Sequence, residues 1–141
     1  MVVVGWAPYA KSYVQKLHFG ADEGVRFLGG VYGQDYKTLL HHCRAFIHAA
    51  CVGGTHPVLV EAMGAGRPIL ASDIPENRET AGQTAMFFSL DENVLAKKIR
   101  WVLDNAQTAQ ELGRKAQDRA MDLFHWDRVA QAYETILAGR K

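Results

Sequence analysis

The amino-acid sequence predicts an α/β fold in which helices cover both faces of a parallel sheet. As far as Phe88, short apolar runs that end in turn residues alternate with amphipathic helical patterns. Consecutive parallel strands need a crossover connection, and a helix between each pair of strands supplies it. Beyond Phe88 the chain carries helical patterns alone, so C-terminal helices complete the predicted domain.

Five runs are predicted to be buried strands. Each is short, rich in branched or aromatic side chains, and followed by turn residues, which is typical of strands inside a parallel sheet. The runs cover residues 2–4, 25–28, 45–49, 68–71 and 86–88.

Three helices are predicted between the strands. Tyr9, Tyr13 and Leu17 form the apolar face of the first, Asp35 is a candidate N-cap of the second, and Pro57 suits the first turn of the third. These helices cover residues 8–18, 35–43 and 57–65.

Three further helices are predicted after the last strand. Asp91 is a candidate N-cap of the first, and Thr108 with Glu111 forms a possible capping box for the second. Trp126 and Tyr133 mark an amphipathic last helix, where we expect them to pack within the fold.

Composition indicates one ordinary globular domain. The 141 residues are 48% hydrophobic and 22% charged, and 16 Lys and Arg against 15 Asp and Glu give a formal charge of +1. No charge excess favours nucleic acid or an acidic membrane, and no apolar run approaches the roughly 20 residues that span a bilayer. Two cysteines and no basic leader before Gly5 lead us to expect a reducing, cytoplasmic location.

The segment of residues 50–66 carries the candidate chemistry. Gly53-Gly54 follows a predicted strand and precedes a helix that starts at Pro57. Glycines let a ligand approach the backbone closely, and the amides of a helix N-terminus favour an anion such as phosphate. Glu61, one turn into the helix, could accept hydrogen bonds from ribose hydroxyls.

The alternative is a plain strand-to-helix turn with a solvated glutamate, since glycine pairs are common turn signals. The dinucleotide fingerprint G-x-G-x-x-G and the P-loop pattern are both absent from the sequence. Spacing alone therefore leaves the two interpretations open.

The order of the motifs resembles the C-terminal, donor-binding domain of GT-B retaining glycosyltransferases of family 4 (group 1). The resemblance covers nearly the whole chain. Its central motifs are Pro57, Glu61-Ala62-Met63, Gly66-Arg67-Pro68 and Ser72-Asp73, and its flanking motifs are Val3-Val4-Gly5, Val25 to Gly29, Ile74 to Glu79 and Phe124 to Trp126.

The resemblance implies a Rossmann-like domain that binds a nucleoside-diphosphate sugar as substrate, with no cofactor and no metal. By it, Glu61 binds the ribose, and the loop backbone at Gly54, Thr55 and His56 holds the diphosphate and the sugar hydroxyls. The His56 imidazole either adds a contact or faces water, and the sequence leaves both open. Val31 matches the region that meets the base, largely through the backbone. Tyr32 could stack on the base, but an ordinary, partly buried tyrosine is the favoured interpretation. The full set of candidate binding residues is Gly5, Val31, Tyr32, Gly53, Gly54, Thr55, His56, Val58 and Glu61.

One position departs from the family pattern. The family has a second glutamate before the loop, and counting back from Glu61 leads to Gly53, or to Cys51 for a longer loop. Neither side chain replaces a carboxylate. We therefore assign no catalytic residue and expect no turnover by this chain alone.

The resemblance also implies that residues 1–141 are one partial domain, truncated on its N-terminal side. The first strand, its helix and the two phosphate-binding cations of the family have no counterpart here, and neither does the acceptor half. That first strand is central in the doubly wound order. We therefore expect residues 2–4 and 45–49 either to pair directly or to leave open edges that promote self-association.

Two functions remain as alternatives. One is the donor-binding domain of a glycosyltransferase in polysaccharide or glycoconjugate assembly. The other is a non-catalytic nucleotide-binding or subunit-pairing module that works with a separate acceptor-domain chain. A third possibility, a relative of sugar-nucleotide epimerases, shares the fold class but not the closing helix that contains Trp126.

Other titratable residues are weaker candidates. His41-His42-Cys43 has metal-ligand chemistry, but adjacent helix positions diverge and no second cluster has ligand spacing. We expect Cys43 in the core and His48 to be packed rather than catalytic. Glu76, Asn77 and Arg78 are interpreted as a polar loop beside the expected site. Arg78 could pair with phosphate or form a surface salt bridge, and the sequence leaves both open.

Overall fold

The computed structural model describes residues 1–139 and divides into two compact units. The first unit comprises residues 1–39, and the second starts at Leu40. Both are built from parallel strands and helices, so the predicted α/β class is confirmed.

The first unit contains a two-stranded parallel sheet. Strand β1 (Val2–Val3) pairs with β2 (Arg26–Phe27), with Val2 opposite Arg26, and helix α1 (Lys11–Phe19) connects them. The Gly5 amide donates to the Gly29 carbonyl at 2.8 Å and extends this pairing. Both strands are shorter than predicted.

The predicted apolar face of α1 is exposed. Tyr9 precedes the helix and is 90% exposed, and Tyr13 and Leu17 are exposed as well. A sheet of two short strands has too little apolar surface to cover a helix face. The helical spacing of these apolar residues therefore does not correspond to a buried face in the described part of the chain.

Helix α2 (Gly33–His42) begins two residues before the predicted N-cap. Asp35 lies in its first turn, where the carboxylate interacts favourably with the helix dipole but is not the N-cap of the helix. Cys43 follows the helix half-buried and donates to the Leu40 carbonyl at 3.2 Å. Burial raises the pKa of the Cys43 thiol and keeps it protonated.

The second unit holds a three-stranded parallel sheet with the order β3-β4-β5. The central strand is buried along its whole length, as the sequence predicts. The elements, in chain order, are β3 (Phe46–His48), α3 (Pro57–Gly64), β4 (Ile69–Ser72), α4 (Pro75–Ala81), a 3-10 turn (Gly82–Thr84), β5 (Met86–Phe88), α5 (Glu92–Asp104), α6 (Ala106–Phe124) and α7 (Trp126–Leu137).

Within residues 1–139, β1 pairs only with β2, and β3 pairs only with β4. Each of these two strands therefore has one side without a strand partner in its own sheet. The two expected arrangements, direct pairing of residues 2–4 with 45–49 and open edges, both stay predictions.

Of the two caps predicted for the C-terminal helices, one is present in the structure. Asp91 Oδ1 accepts hydrogen bonds from the amides of Asn93 and Val94 at 2.8 and 3.1 Å, so this N-cap is confirmed. The capping box of Thr108 and Glu111 is wrong, because Asn105 already terminates α5 and precedes α6.

Helix α7 keeps its predicted position but not its predicted packing. Trp126 is 82% exposed and Tyr133 is 65% exposed. The expectation that both pack within the fold is wrong for residues 1–139. Periodicity correctly locates the amphipathic helix, but it does not say which surface covers the apolar side.

Helix α6 buries a face of small residues, which are Ala109, Gly113, Ala116 and Ala120. This face lets α6 approach the C-terminal end of α3 closely. A Cβ atom on Gly113 would lie 2.5 Å from the Gly66 carbonyl oxygen and 2.9 Å from the Arg67 carbonyl carbon. Only glycine fits at this contact.

Side chains of α6 also bind the free carbonyls at the ends of two neighbouring helices. Gln110 and Gln117 donate to the Gly66 and Gly64 carbonyls at 2.9 and 2.8 Å. Arg119 donates to the carbonyls of Thr80 and Glu79 at the end of α4, at 2.9 and 2.8 Å. The C-terminal ends of α3 and α4 are thus held by one helix, and their N-terminal ends point away from it.

We expect Gly113→Ala to lower the free energy of unfolding by about 1–3 kcal/mol, because the methyl group must push two backbones apart. Urea unfolding followed by circular dichroism measures the change. Gly64→Ala is the matched control, since its Cβ would meet nothing within 4 Å. Equal effects of the two substitutions would contradict close packing at Gly113.

Candidate functional site

The candidate site lies at the carboxyl end of β3, where open α/β sheets bind ligands. The strand ends at His48, and α3 starts at Pro57 in its first turn, as the sequence predicts. His56 is the N-cap residue and has an extended backbone. The connecting loop opens directly onto the N-terminus of α3.

A buried hydrogen-bond network fixes the start of this loop. The Ser72 hydroxyl at the end of β4 donates to the Ala50 carbonyl. Asn77 Nδ2 in turn donates to the Ser72 carbonyl and to Ser72 Oγ, both at 3.0 Å. Ser72 and Asn77 are fully buried. The loop is therefore tied to the end of β4 and to helix α4.

Sequence reasoning missed the role of Asn77 because it placed Glu76, Asn77 and Arg78 in a polar loop. The structure corrects this to helix α4, with Pro75 in the first turn. A proline followed by an acidic residue is a helix-start signal, and it was present in the sequence.

Two histidine rings meet beneath the loop. The centroids of His48 and His56 lie 4.6 Å apart, and the rings are inclined by 62°. His48 is 8% exposed, which confirms the prediction that it is packed. His48 Nε2 and His56 Nδ1 are buried and form no hydrogen bond with any residue of the described chain, 1–139.

The His56 ring also closes the space beside Gly53. A Cβ atom on Gly53 would overlap His56 Nε2 and would lie 2.7 Å from Cε1. Gly53 has a φ of +151°, which side-chain-bearing residues rarely adopt. The backbone conformation therefore favours glycine at this position, and any side chain there would have to displace the His56 ring.

The pKa of His48 lies below its ordinary value of 6.5, chiefly because burial disfavours the charged form and secondarily because of His56. His48 is therefore neutral at physiological pH. A neutral imidazole has one N–H donor and one nitrogen acceptor.

The remaining predicted residues of this loop are accessible. Gly54 and Thr55 are exposed, Val58 is half-buried in the first turn of α3, and Glu61 is exposed one turn further along. The structure thus groups six of the nine candidates in one loop and helix: Gly53, Gly54, Thr55, His56, Val58 and Glu61.

The other three candidates belong to the first unit. Gly5 follows β1, Val31 is half-buried, and Tyr32 is exposed with its ring close to Gly30. Their assignment to the base-binding region stays a prediction from the sequence.

Arg78 forms an ion pair on the surface. Its Nε and Nη2 donate to the two carboxylate oxygens of Asp73 at 2.5 and 2.8 Å, and its guanidinium lies 4.7 Å from the centroid of the Phe87 ring. The hydrogen bond from Arg78 lowers the pKa of Asp73. Of the two interpretations for Arg78, the salt bridge is the one that the structure contains.

No group of three or more His, Cys, Asp and Glu side chains that could hold a metal ion occurs within residues 1–139. In the same part of the chain, no helix is long and apolar enough to cross a membrane.

Comparisons with known proteins point to one class of enzyme. The family model described as glycosyl transferases group 1 matches residues 1–105. Glycogen synthase of Mycobacterium tuberculosis is 31% identical over 120 residues, which make up 83% of this chain and 29% of that protein.

Solved structures share the fold of this chain. The structure of Anabaena Alr3699/HepE in complex with UDP matches 98% of this chain and 40% of its own, with 24% identity and a TM-score of 0.89. Its complex with UDP-glucose matches with a TM-score of 0.87. Sucrose-phosphate synthase from Thermosynechococcus elongatus matches 98% of this chain and 38% of its own, with 23% identity and a TM-score of 0.72.

The fold is therefore that of GT-B glycosyltransferase domains. Since the family model covers well over half of the sequence, the chain belongs to the group 1 glycosyl transferases. It spans 29% of the length of the glycogen synthases that it matches.

We expect titration of His48 to give a pKa below 6.5, and His56→Gln to raise that pKa part of the way, because burial remains the larger cause. Since the native state favours neutral His48, the unfolded chain binds the proton more readily. The free energy of unfolding should therefore fall as the pH drops from 6.5 towards the native pKa.

Nuclear magnetic resonance of the histidine ring signals measures the pKa in both proteins. A His48 pKa at or above 6.5 would contradict the burial described here.

Proposed function

We propose that the chain is the C-terminal, donor-binding domain of a family 4 retaining glycosyltransferase and that it binds a nucleoside-diphosphate sugar. One observation carries the proposal: an exposed glycine loop leads directly into the N-terminus of α3, with Glu61 one turn further along. The complexes of HepE with UDP and UDP-glucose, which share this fold, support it.

In this proposal the diphosphate lies at the N-terminus of α3. The amides of Leu59 and Val60 donate to the His56 carbonyl at 2.9 and 3.3 Å. The Val58 amide lies in the first turn, where an α-helix offers no carbonyl partner, and it points with the helix dipole towards an anion. The exposed backbone of Gly54 and Thr55 extends this surface.

Glu61 is assigned to the ribose. A carboxylate accepts hydrogen bonds from two vicinal hydroxyls, and such charge-assisted bonds are roughly twice as strong as neutral ones. A ribose on Glu61 and a diphosphate at the start of α3 fit a nucleotide that lies along the first turns of the helix.

The reaction proposed for the complete enzyme is transfer of the sugar with retention of configuration, in polysaccharide or glycoconjugate assembly. Helix amides stabilise the charge that develops on the leaving diphosphate. Gly53 and Cys51 supply no carboxylate to the reacting centre. The proposal therefore has this chain inactive alone and acting together with an acceptor domain.

A second candidate is a non-catalytic module that pairs with a separate acceptor chain or with a second copy. It is favoured by the position of β1 and β3, each at the edge of its own sheet, because unpaired strand edges promote association with another chain.

We expect the molecular mass in sedimentation equilibrium to rise with protein concentration if the chain self-associates through such edges. A monomer mass that is independent of concentration would contradict self-association.

We expect Glu61→Gln to weaken nucleotide binding about tenfold or more, because it removes the charge from the ribose hydrogen bonds. Calorimetric titration with UDP, GDP and ADP measures the effect and identifies the base. Glu79→Gln is the matched control, since Glu79 is an exposed helical glutamate on α4.

Saturable binding by the wild-type chain, weakened at position 61 and unchanged at position 79, supports the proposal. If none of the three nucleotides binds, the donor-binding function is wrong.

A further inference from the structure

The first unit leaves a group of large apolar side chains in solvent on and beside helix α1. Trp6, Tyr9 and Phe19 are 76%, 90% and 95% exposed. Tyr13 and Leu17, on the helix itself, are exposed as well. Scattered apolar residues are normal on a protein surface, but a group of them in one segment indicates a surface that meets another molecule or a membrane. We call these five residues the α1 surface.

Helix α1 is held on its sheet by a different face. The His18 ring stacks on the Phe27 ring of β2, with centroids 4.0 Å apart and an angle of 29°, and Val14 is half-buried. Tyr13 and Leu17 each precede one of these helix positions, and adjacent helix positions lie about 100° apart. The α1 surface therefore faces another direction, and the strands of its own unit do not cover it.

The charge beside these side chains is positive. Residues 1–21 include Lys11 and Lys16 but no aspartate or glutamate. Both lysines are exposed on α1. The first acidic residues, Asp22 and Glu23, follow the helix in the turn before β2, where Asp22 accepts a hydrogen bond from a backbone amide at 2.8 Å. The formal charge of +1 for the whole chain conceals this local distribution.

We propose that the α1 surface docks on an anionic lipid bilayer. Large apolar side chains next to lysines are typical of helices that lie in the plane of a membrane surface. Tryptophan and tyrosine suit the headgroup region, because one part of each ring system is apolar and another is polar. Lysine stems cover apolar surface while their ammonium groups reach the lipid phosphates. With nine residues, α1 lies on the bilayer and does not cross it.

Charge favours lipid over a second copy of this chain as the partner. A symmetric contact through the α1 surface would use the same patch of both copies and would bring their lysines, Lys11 and Lys16, together. An anionic bilayer instead presents the complementary charge. The proposal goes beyond donor binding, because none of these residues belongs to the candidate nucleotide site.

Flotation of the full chain with lipid vesicles tests the proposal. Vesicles of phosphatidylcholine and phosphatidylglycerol in a ratio of roughly 2:1 present an anionic surface, and phosphatidylcholine alone presents a neutral one. We expect binding to the anionic vesicles to be about tenfold stronger or more, and to weaken as the salt concentration rises. No binding to the anionic vesicles, or equal binding to both kinds, would overturn the proposal.

Two double variants test the two parts of the α1 surface. Lys11→Gln with Lys16→Gln removes the charge, and Tyr9→Ser with Phe19→Ser removes two rings. We expect each pair to weaken binding to the anionic vesicles about tenfold or more. All four positions are exposed, so circular dichroism should show an unchanged fold.

Matched controls change similar residues elsewhere. Lys97→Gln with Lys115→Gln removes two exposed lysines from α5 and α6, and Trp126→Ser with Tyr133→Ser removes two exposed rings from α7. We expect both controls to bind the anionic vesicles like the wild-type chain. Equal losses in the controls and in the variants of the α1 surface would overturn the proposal.

One further outcome would assign the α1 surface to a second copy of the chain. If Tyr9→Ser with Phe19→Ser leaves vesicle binding unchanged but lowers the mass in sedimentation equilibrium, the surface joins copies and lipid docking is wrong. Nucleotide titration is a separate measurement, so failure of UDP, GDP and ADP to bind would overturn donor binding and leave the lipid result in force.

Discussion

The second unit depends on the close approach of α6 to the end of α3. Gly113 brings the two backbones into contact at Gly66 and Arg67, and the side chains of Gln110 and Gln117 bind carbonyls at that same end. Arg119 does the same for α4. With their C-terminal ends held in this way, α3 and α4 direct their first turns towards the carboxyl edge of the sheet. The packing of the C-terminal ends thus leaves the first turns of both helices at the edge where the proposed anion site lies.

The same edge is stabilised a second time by polar groups. Asn77 binds Ser72, and Ser72 binds the Ala50 carbonyl, so one buried network joins α4, β4 and the start of the loop. This division of roles suits a ligand site: one end of the loop is fixed by hydrogen bonds and the other by the first turn of a helix. The backbone between them stays open to solvent.

Local sequence signals predicted several elements of the second unit. Asp91 as a cap, Pro57 as a helix start and the apolar run of β4 each depend on a few neighbouring residues, and each prediction is confirmed. The face of α6 was not predictable in this way, since alanine and glycine give a weak periodic signal although they decide how closely helices approach. Nor could periodicity show that Tyr9 and Trp126 are exposed, because an apolar stripe does not specify its cover. The grouping of six candidate residues was predictable because they lie within nine positions of the chain. The contact between the His48 and His56 rings was not, because it joins a strand to the start of a helix across a loop.

The ring of His56 over Gly53 also constrains how this chain can change over time. The resemblance implies a glutamate at position 53, or at position 51 for a longer loop. At position 53 the imidazole occupies the space that a Cβ atom would take, and the backbone has a positive φ. If the glutamate belongs at position 53, its return therefore requires a shift of the His56 ring and a strained backbone. The two positions are coupled, so replacement of the histidine and relaxation of the loop favour the return of a glutamate. In the sequences of close homologues, glycine at position 53 should therefore be inherited together with a large ring at position 56.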